Sequence, residues 1–346
     1  MSLSAPVHWQ KNIALDALNT MACPSRAEYF LCATSEAELV DAISSAQYLN
    51  MPWHILGGGS NVLCPPLIQG LVIQPLLLGK KSHIVGDEVL LTIGAGEPWH
   101  ELVIWCLEQG FYGLENLALI PGNAGAAPIQ NIGAYGVEVA KCLQSVRFYH
   151  AEEKIYKTLA ASECELAYRD SIFKHALKGQ VIISQITLKL SRRAQVNIRY
   201  APLQQFFNTL NPASITPQAV FDGVCAIRRA RLPDPIELPN SGSFFKNPIL
   251  PLAQFIQLQQ QFPQIPSYSH GDQHIKIPAA WLIDQAGLKG QWIGQLRVHS
   301  EQALVLTNPN KQTLTEVLLA SEKIIAAVVK KFGVLLEPEP QVLGGE

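Results

Sequence analysis

Charged side chains are scarce in this sequence, and neither sign of charge dominates. Asp, Glu, Lys and Arg make up only 16% of its 346 residues, and the formal net charge is −2. A chain without a strong positive excess has no general attraction for nucleic acid or for an anionic membrane surface. We therefore expect neither partner, and an anionic ligand would need a local pocket made by a few Arg and Lys side chains.

Long apolar runs and paired cysteine motifs are also missing. No stretch reaches the ~18 apolar residues that a membrane-spanning helix needs, and the first twenty residues lack the apolar segment of a signal peptide. The seven cysteines are an odd number, and none forms a Cys-x-x-Cys pair. These absences argue against a disulfide framework, a structural zinc site or a secreted protein. We expect a cytoplasmic monomer without a metal.

What is present is a large apolar share, 48% of the residues, which is enough for sizeable cores and for two or three domains. Residues 35–38 and 313–316 read Ser-Glu-Ala-Glu and Thr-Leu-Thr-Glu, and each predicts a capping box that opens a helix. Gly110 and Gly333 stand where helices are expected to end. The strand-like run that includes residues 186–190 alternates apolar and polar side chains. The pattern predicts a mixed α+β protein.

The first of two glycine-rich loops spans residues 55–63. Gly57, Gly58 and Gly59 follow a short apolar run, and Ser60 and Asn61 add side-chain donors. Glycine lets backbone amides approach a phosphate closely. The loop lacks the spacing of a dinucleotide-binding fingerprint and the lysine of a P-loop. On the residues alone, a phosphate site and a simple tight turn both stay open.

The second loop spans residues 119–136 and carries no charge. It holds four glycines, four alanines and two prolines. Small residues and stiff prolines suit a backbone wrapped around a large flat ligand, whose edges Gln130 and Asn131 would hydrogen-bond. The alternative is a buried seam of small residues. The two amide side chains in so apolar a loop favour the ligand-binding interpretation.

Eight segments, in this order along the chain, resemble segments of the UDP-N-acetylenolpyruvoylglucosamine reductase family. They are Gly-Gly-Gly-Ser-Asn at 57–61, Gly-Ala-Gly at 94–96, Ile-Pro-Gly at 120–122, Pro-Ile-Gln-Asn-Ile-Gly-Ala-Tyr-Gly at 128–136, Tyr-Arg-Asp-Ser-Ile-Phe-Lys at 168–174, Gly-Ser-Phe-Phe-Lys-Asn-Pro at 242–248, Trp-Leu-Ile-Asp at 281–284 and Leu-Glu-Pro-Glu at 336–339. The sequence departs from the family pattern at two positions. Met21 replaces an aromatic residue, and Gln341 stands where an arginine can follow the acidic pair Glu337 and Glu339.

The resemblance implies a fold and two cofactors. The fold is α+β, with a two-subdomain FAD-binding unit like that of the vanillyl-alcohol oxidases and a C-terminal α+β substrate domain. The implied parts are residues 1–80 joined by about 334–346, residues 81–231, and residues 232–333. The implied cofactors are FAD and NADPH. The implied FAD-binding residues are Gly57, Gly58, Gly59, Ser60, Asn61, Pro121, Gly122, Ala126, Pro128, Gln130, Asn131, Gly133, Ala134, Tyr135 and Gly136.

The implied reaction reduces the enolpyruvyl group of a UDP-sugar, in the synthesis of peptidoglycan precursors. Hydride from NADPH reaches C3 of that group through FAD, and C2 is then protonated. Arg169 matches the residue that stabilises the substrate carboxylate, and Ser243 matches the proton donor. Glu339 matches the third catalytic residue, and we expect it to have a raised pKa or a basic neighbour, because carboxylates repel one another.

Each catalytic candidate has a plain structural alternative. Arg169 could form a surface ion pair with Asp170 or Glu163. A serine is most often a cap, and Ser241 competes with Ser243, as Glu337 competes with Glu339. The resemblance also implies the substrate-binding residues Tyr200, Arg228, Arg231, Lys246, Asn247 and Gln302. For Tyr200 a packed tyrosine at a strand end stays open as the alternative.

Other functions have less support from the sequence. His270 and His274 have helical metal-ligand spacing, but Gly271 interrupts a helix and further ligands are not evident. Hydrolase motifs are not found. Two alternatives stay open: an FAD-dependent oxidase of an unrelated small alcohol, and a non-catalytic nucleotide-binding protein.

Overall fold

The computed structural model describes residue 6 and residues 8–345, which form both strands and helices. The strands, in chain order, are β1 Gln10–Ala14, β2 Arg26–Ala33, β3 Trp53–Ile55, β4 Val62–Leu63, β5 Leu67–Pro75, β6 Lys80–Val85, β7 Glu88–Gly94, β8 Gly133–Ala134, β9 Val137–Glu138, β10 Leu143–His150, β11 Ile155–Ala160, β12 Val181–Ser191, β13 Asn240–Ser243, β14 Ile249–Pro251, β15 Tyr268–His270, β16 His274–Lys276, β17 Trp292–Ile293, β18 Leu296–Val298, β19 Val305–Thr307 and β20 Gln341–Val342. The helices are α1 Glu36–Tyr48, α2 Trp99–Glu108, α3 Ala201–Phe206, α4 Pro217–Arg231, α5 Leu252–Gln261, α6 Ala279–Gln285 and α7 Leu314–Phe332.

The chain forms two units from interleaved segments. The first unit comprises Ala27–Gly59, Ile68–Ala230 and the described residues before Ala14. The second unit comprises Ala14–Arg26, Ser60–Leu67 and the described residues from Arg231 onward. The division into three parts expected from the resemblance stays a prediction.

Two larger sheets and the short β8–β9 pair belong to the first unit. One has the strand order β1-β2-β5-β3, and its β3 and β5 run parallel. The other has the order β11-β10-β12-β7-β6, with every neighbouring pair antiparallel. Its central strand β12 buries Ile186, Leu188 and Leu190 at alternate positions, as the sequence pattern predicts. Helix α2 packs its apolar face into the same core.

The second unit contains smaller sheets and one long helix. Its four-stranded sheet has the order β13-β19-β18-β17, and β14, β16 and β15 form a three-stranded sheet. Strand β20 pairs in parallel with β4, so a segment near the end of the chain lies beside the end of the first glycine-rich loop. The buried face of α7 packs in this unit's core. The α+β class is therefore confirmed. Within the described residues, every helix is too short or too polar to cross a membrane.

The two predicted capping boxes differ in the structure. At α1, the Ser35 hydroxyl accepts from the Glu38 amide at 3.2 Å, and the Glu38 carboxylate accepts from the Thr34 amide at 2.7 Å. At α7, Thr313 occupies the N-cap position, but its side chain makes no cap hydrogen bond within the described part of the chain. The first prediction is confirmed and the second is wrong. Gly333 ends α7 with φ of 67°, as predicted.

Glycines allow three loop segments of the first unit to touch through their backbones. A Cβ on Gly58 would lie 2.8 Å from the Gly122 Cα, and one on Gly125 would lie 2.6 Å from the Ala95 Cβ. The Gly125 amide also donates to the Ala95 carbonyl at 2.9 Å. Separations under 3.0 Å leave no room for a side chain. The two glycine-rich loops therefore contact each other at Gly58 and Gly122.

Because the two caps differ, replacing each N-cap residue by alanine should lower the free energy of unfolding by different amounts. Ser35→Ala removes an N-cap acceptor, so we expect it to lower the free energy of unfolding by about 1 kcal/mol. Thr313→Ala removes no cap bond, and we expect less than half of that change. Urea unfolding followed by circular dichroism measures both. Equal losses in the two variants would contradict this account of the caps.

A second pair of variants tests the backbone contact between the loops. Gly58→Ala would press a methyl group into Gly122, so we expect a destabilisation of about 1–3 kcal/mol. Gly57→Ala is the matched control, because a Cβ there meets no protein atom within 4 Å and its φ is ordinary. Its stability should stay within about 0.5 kcal/mol of the parent. Thermal unfolding without added ligand gives the comparison, and two equally stable variants would refute the close contact.

Candidate active site

The predicted site residues are divided between the two units. In the first unit lie Gly57, Gly58, Gly59, Pro121, Gly122, Ala126, Pro128, Gln130, Asn131, Gly133, Ala134, Tyr135, Gly136, Arg169, Tyr200 and Arg228. In the second unit lie Ser60, Asn61, Arg231, Ser243, Lys246, Asn247, Gln302 and Glu339.

The backbone around the second loop is conformationally strained. Leu119, Asn131, Tyr135 and Arg169 all have positive φ, between 43° and 56°, although none is a glycine. Such conformations cost about 1–3 kcal/mol each and persist only where the surroundings enforce them. They are concentrated at ligand sites more often than elsewhere. Asn131, Tyr135 and Arg169 lie in segments that the resemblance singles out and Leu119 directly precedes one, which supports a binding site there.

Arg169 lies at the corner of a tight turn in which Ala167 and Asp170 exchange backbone hydrogen bonds of 3.1 and 3.2 Å. Its Nη2 donates to the Gly133 carbonyl at 3.0 Å, so the guanidinium lies against the second loop. The acidic residues that were its alternative partners have other contacts. Asp170 accepts from His175 at 2.8 Å, and Glu163 accepts from the Ala160 amide at 2.7 Å.

The Asn131 side chain is hydrogen-bonded within the protein. The side chain is only 1% exposed. Its Nδ2 donates to the Glu138 carboxylate at 3.0 Å and to the Ala167 carbonyl at 2.9 Å, and its Oδ1 accepts from the Ala140 amide at 3.1 Å. These bonds tie the loop to the turn that carries Arg169, and a ligand contact by Asn131 stays a prediction. A ligand contact by Gln130 stays a prediction.

A second arginine and two tyrosines lie near Arg169 in the first unit. The rings of Tyr135 and Tyr200 meet edge to face at 5.6 Å, and Tyr200 remains 40% exposed. Burial lowers the pKa of Arg228, nearby Tyr135 and Cys225 raise it, and the positive charge of Arg169 lowers it further. Two guanidiniums close enough to repel each other favour an anion between them. Arg231 is exposed at the last residue of α4.

The first unit also fits one side of a nucleotide cofactor. Gly59 and Gly122 have φ of 66° and 106°, a region that residues with a side chain rarely adopt. The open position at Gly57 leaves the outer face of the loop free of protein atoms. Neither loop carries a charged residue, which fits a diphosphate held by backbone donors.

In the second unit, the structure separates Ser243 from its competitor Ser241. Ser243 ends β13 opposite Val305 and is exposed. Ser241 is 7% exposed, and its buried Oγ has no hydrogen-bond partner within the described residues. The strand register shifts between Asn240 and Ser243, around Gly242 with its φ of 70°. Of the two serines, only Ser243 is exposed.

Glu339 lies on a segment that pairs with the chain just after Ser243. The Glu339 amide donates to the Phe244 carbonyl at 2.8 Å, and Pro338 forms a bridge with Phe245. Glu339 is only 9% exposed, and the Asn61 side chain donates to its carbonyl at 3.4 Å. The competitor Glu337 has a side chain that is 68% exposed and forms an ion pair with Lys246. The pairing brings Ser243 and Glu339 onto adjacent segments.

Three predicted substrate residues of the second unit have structural partners. Lys246 pairs with Glu337. The Asn247 Oδ1 accepts from the Ala279 amide at 2.9 Å at the start of α6, and the Gln302 Oε1 accepts from the Leu304 amide at 3.3 Å. Substrate contacts by these residues stay predictions. His270 and His274 face each other across the hairpin β15–β16 and not along a helix, and no group of three metal-ligating residues occurs in the described part of the chain.

Sequence reasoning did not single out two polar residues that hold the second loop. Asn116 donates to the carbonyls of Tyr135 and Asn197, at 3.0 and 2.8 Å. His100 accepts from the Leu119 amide at 3.1 Å. Their partners are backbone groups at least 19 residues away, so neither periodicity nor a local motif could mark them.

Comparisons with known proteins agree with this arrangement. Residues 27–159 match the FAD binding domain, and residues 234–343 match the C-terminal domain of UDP-N-acetylenolpyruvoylglucosamine reductase. The reductase of that name from Shewanella baltica is 43% identical over 324 residues, which are 91% of this chain and 94% of that protein. The one from Vibrio vulnificus is 43% identical over 332 residues, 95% and 94% of the two chains.

A solved structure agrees on the fold. The crystal structure of UDP-N-acetylenolpyruvylglucosamine reductase from Thermus caldophilus superposes with a TM-score of 0.65 at 22% sequence identity, over 96% of this chain and 99% of that one. The sequence identities of 43% over nine-tenths of the chain decide the family. The chain belongs to the UDP-N-acetylenolpyruvoylglucosamine reductase family.

Proposed function

We propose that this protein reduces UDP-N-acetylenolpyruvoylglucosamine to UDP-N-acetylmuramate, with FAD as bound cofactor and NADPH as the hydride source, in the synthesis of peptidoglycan precursors. The observation that carries the proposal is the pairing of residues 244–246 with residues 337–339. It places exposed Ser243 and shielded Glu339 on adjacent segments of a chain whose relatives carry the reductase name.

FAD, when bound, supplies hydride transfer from NADPH to C3 of the enolpyruvyl group. The chain's part is to hold this cofactor with the two glycine-rich loops, where Gly58 and Gly122 touch and Gly57 stays open. Backbone amides there replace the water around a diphosphate. Asn131, buried within the second loop, ties this loop to the turn that carries Arg169 and stays one of the proposed FAD-binding residues.

The addition of hydride to C3 leaves negative charge on the carboxylate side of the substrate. Arg169 is the residue we assign to that carboxylate, because a guanidinium binds it through two parallel hydrogen bonds. The neighbouring Arg228 adds positive charge, and its pKa, lowered mainly by burial and further by Arg169, is consistent with a site that gains from an anion. Tyr200, exposed beside Tyr135, is the aromatic candidate for covering the substrate.

Protonation at C2 is assigned to Ser243, supported by Glu339. A serine hydroxyl is a weak acid, but an enolate carbon is basic enough to take its proton in a site that excludes water. The exposed position of Ser243 and the low exposure of Glu339 suit a donor and a shielded carboxyl partner. Lys246, Asn247, Gln302 and Arg231 are proposed as further substrate contacts in the second unit.

We further propose that the protein acts as a monomer in the cytoplasm. All seven cysteines are free thiols, and six of them are buried. Burial raises the pKa of Cys23 to about 11 and that of Cys64 to about 12, so these groups stay protonated and unreactive. Free thiols of this kind are typical of reducing compartments.

An anaerobic two-step titration tests the function. NADPH is added to the purified protein until the visible absorption of the flavin is bleached, and UDP-N-acetylenolpyruvoylglucosamine is then added without oxygen. We expect prompt return of the flavin absorption and one equivalent of UDP-N-acetylmuramate. A flavin that stays bleached until oxygen is admitted would favour the oxidase alternative. A protein without flavin would overturn the proposal and favour a non-catalytic nucleotide-binding role.

The proton donor is tested with a matched pair of serine variants. We expect Ser243→Ala to slow product formation about 10²–10⁴-fold, the range for loss of a general acid, while bleaching by NADPH keeps its rate. Ser241→Ala should leave both steps unchanged, because it removes a buried hydroxyl with no partner among the described residues. Single-turnover kinetics of both half-reactions gives the comparison. Equal product rates for Ser243→Ala and the parent would remove Ser243 from the mechanism.

A further inference from the structure

The first turn of α2 holds the start of the second glycine-rich loop through three hydrogen bonds. The Trp99 Nε1 donates to the Leu117 carbonyl at 3.0 Å, and the Trp99 amide donates to the Gly122 carbonyl at 2.9 Å. Between these two bonds, the Leu119 amide donates to the Nδ1 of His100 at 3.1 Å. The two bonds from Trp99 use groups that do not titrate, whereas the third depends on the protonation of an imidazole.

That third bond requires a neutral His100 with its proton on Nε2, because an Nδ1 that accepts a hydrogen bond cannot carry a proton. The surroundings favour this form. Burial lowers the pKa of His100, Glu101 raises it, and Arg229 and Arg228 lower it further. The imidazole stacks on the Phe221 ring of α4 at 5.6 Å and 6°, which fixes its plane. The loop segment 117–122 that packs against it carries no charged residue.

The amide that His100 accepts belongs to a strained residue. Leu119 has a φ of 56°, a conformation that a branched side chain rarely adopts and that neighbouring contacts must enforce. Three residues later, Gly122 makes the close contact with Gly58 that joins the two loops. Losing the His100 bond would therefore release the strained residue at the base of the segment that meets the first loop.

We propose that His100 is a positioning residue for FAD: its neutral imidazole holds the Leu119 amide and thereby keeps residues 119–122 in the conformation that packs against the first glycine-rich loop. This proposal rests on the proposed function, because it takes these loops to be the FAD site. It adds a residue that acts through the loop without touching the cofactor. It also makes FAD affinity depend on the protonation state of one histidine.

The direction of that pH dependence follows from the hydrogen bond. The pKa of His100 is depressed in the ordered loop and returns toward the ordinary histidine value, about 6.5, when the loop opens. A group with a depressed pKa in the ordered state contributes stability above its ordinary pKa and loses it as the pH falls through the lowered value. The contribution of His100 to FAD binding is therefore complete at neutral pH and declines in acid.

The test measures FAD release by fluorescence on serial dilution of the purified holoprotein. His100→Leu removes the acceptor, and we expect a rise of about tenfold in the FAD dissociation constant at neutral pH. His100→Asn places an oxygen acceptor near the Nδ1 position and cannot be protonated, so its constant should stay within about threefold of the parent. His83→Leu, on the exposed strand β6, is the control and should match the parent.

A pH series separates positioning from a merely structural role. Between about pH 7.5 and pH 5.5, which brackets the ordinary histidine pKa, the parent should lose FAD affinity more steeply than His100→Asn. Parallel pH profiles for the two proteins, or a His100→Leu variant that binds FAD as tightly as His83→Leu, would overturn the proposal. If His100→Leu does not fold, the parent and the Asn variant still decide it.

The same measurements distinguish this proposal from the function on which it rests. A parent protein that carries FAD but whose affinity is insensitive to His100 would overturn the positioning role alone and leave the reductase intact. A parent protein that retains no FAD would overturn both.

Discussion

Contact between backbones without intervening side chains is the constraint on which the first unit depends. A Cβ at Gly58 or Gly125 would meet neighbouring atoms at 2.8 or 2.6 Å, and one at Gly96 would meet the Leu77 amide nitrogen at 2.7 Å. Because no ordinary residue fits at such distances, three separate loops can approach only at these glycines. The two glycine-rich loops therefore meet through their backbones at Gly58 and Gly122.

Loops of small residues cannot hold themselves in place by apolar packing, and the structure supplies polar side chains for that purpose. Asn131, Asn116 and His100 each hydrogen-bond backbone groups of the second loop or of its neighbours. These bonds are buried or half-buried, where an unmet partner costs about 1–3 kcal/mol. These hydrogen bonds therefore hold the loop conformation, because breaking them would leave buried polar groups unsatisfied. Four strained non-glycine residues can persist in and beside the loop for the same reason.

Local signals in the sequence predicted local features of the fold well. The cap at Ser35, the end of α7 at Gly333 and the alternation in β12 are confirmed, because each depends on residues within one or two turns or along one strand. The box at residues 313–316 failed although it has the required residue types, since the Thr313 hydroxyl makes no bond to its helix. The candidate site residues came from the resemblance, and the bonds that orient them could not be derived. Asn131 bonds Ala167, 36 residues away, and only tertiary structure brings those groups together.

The choice between Ser241 and Ser243 shows how one backbone irregularity can decide which residue is available for chemistry. Residues two apart in a regular strand face the same side of the sheet, so both serines would be buried or both exposed. The register shift between Asn240 and Ser243, with Gly242 at a φ of 70°, breaks that rule. Ser241 then faces the interior while Ser243 faces outward.

The two glutamates around Pro338 also differ in exposure. They lie in the segment that pairs with the residues after Ser243, and the Glu337 side chain is 68% exposed whereas Glu339 is 9% exposed. The proposed proton donor Ser243 and its proposed partner Glu339 thus each differ in exposure from the residue of the same type two positions away.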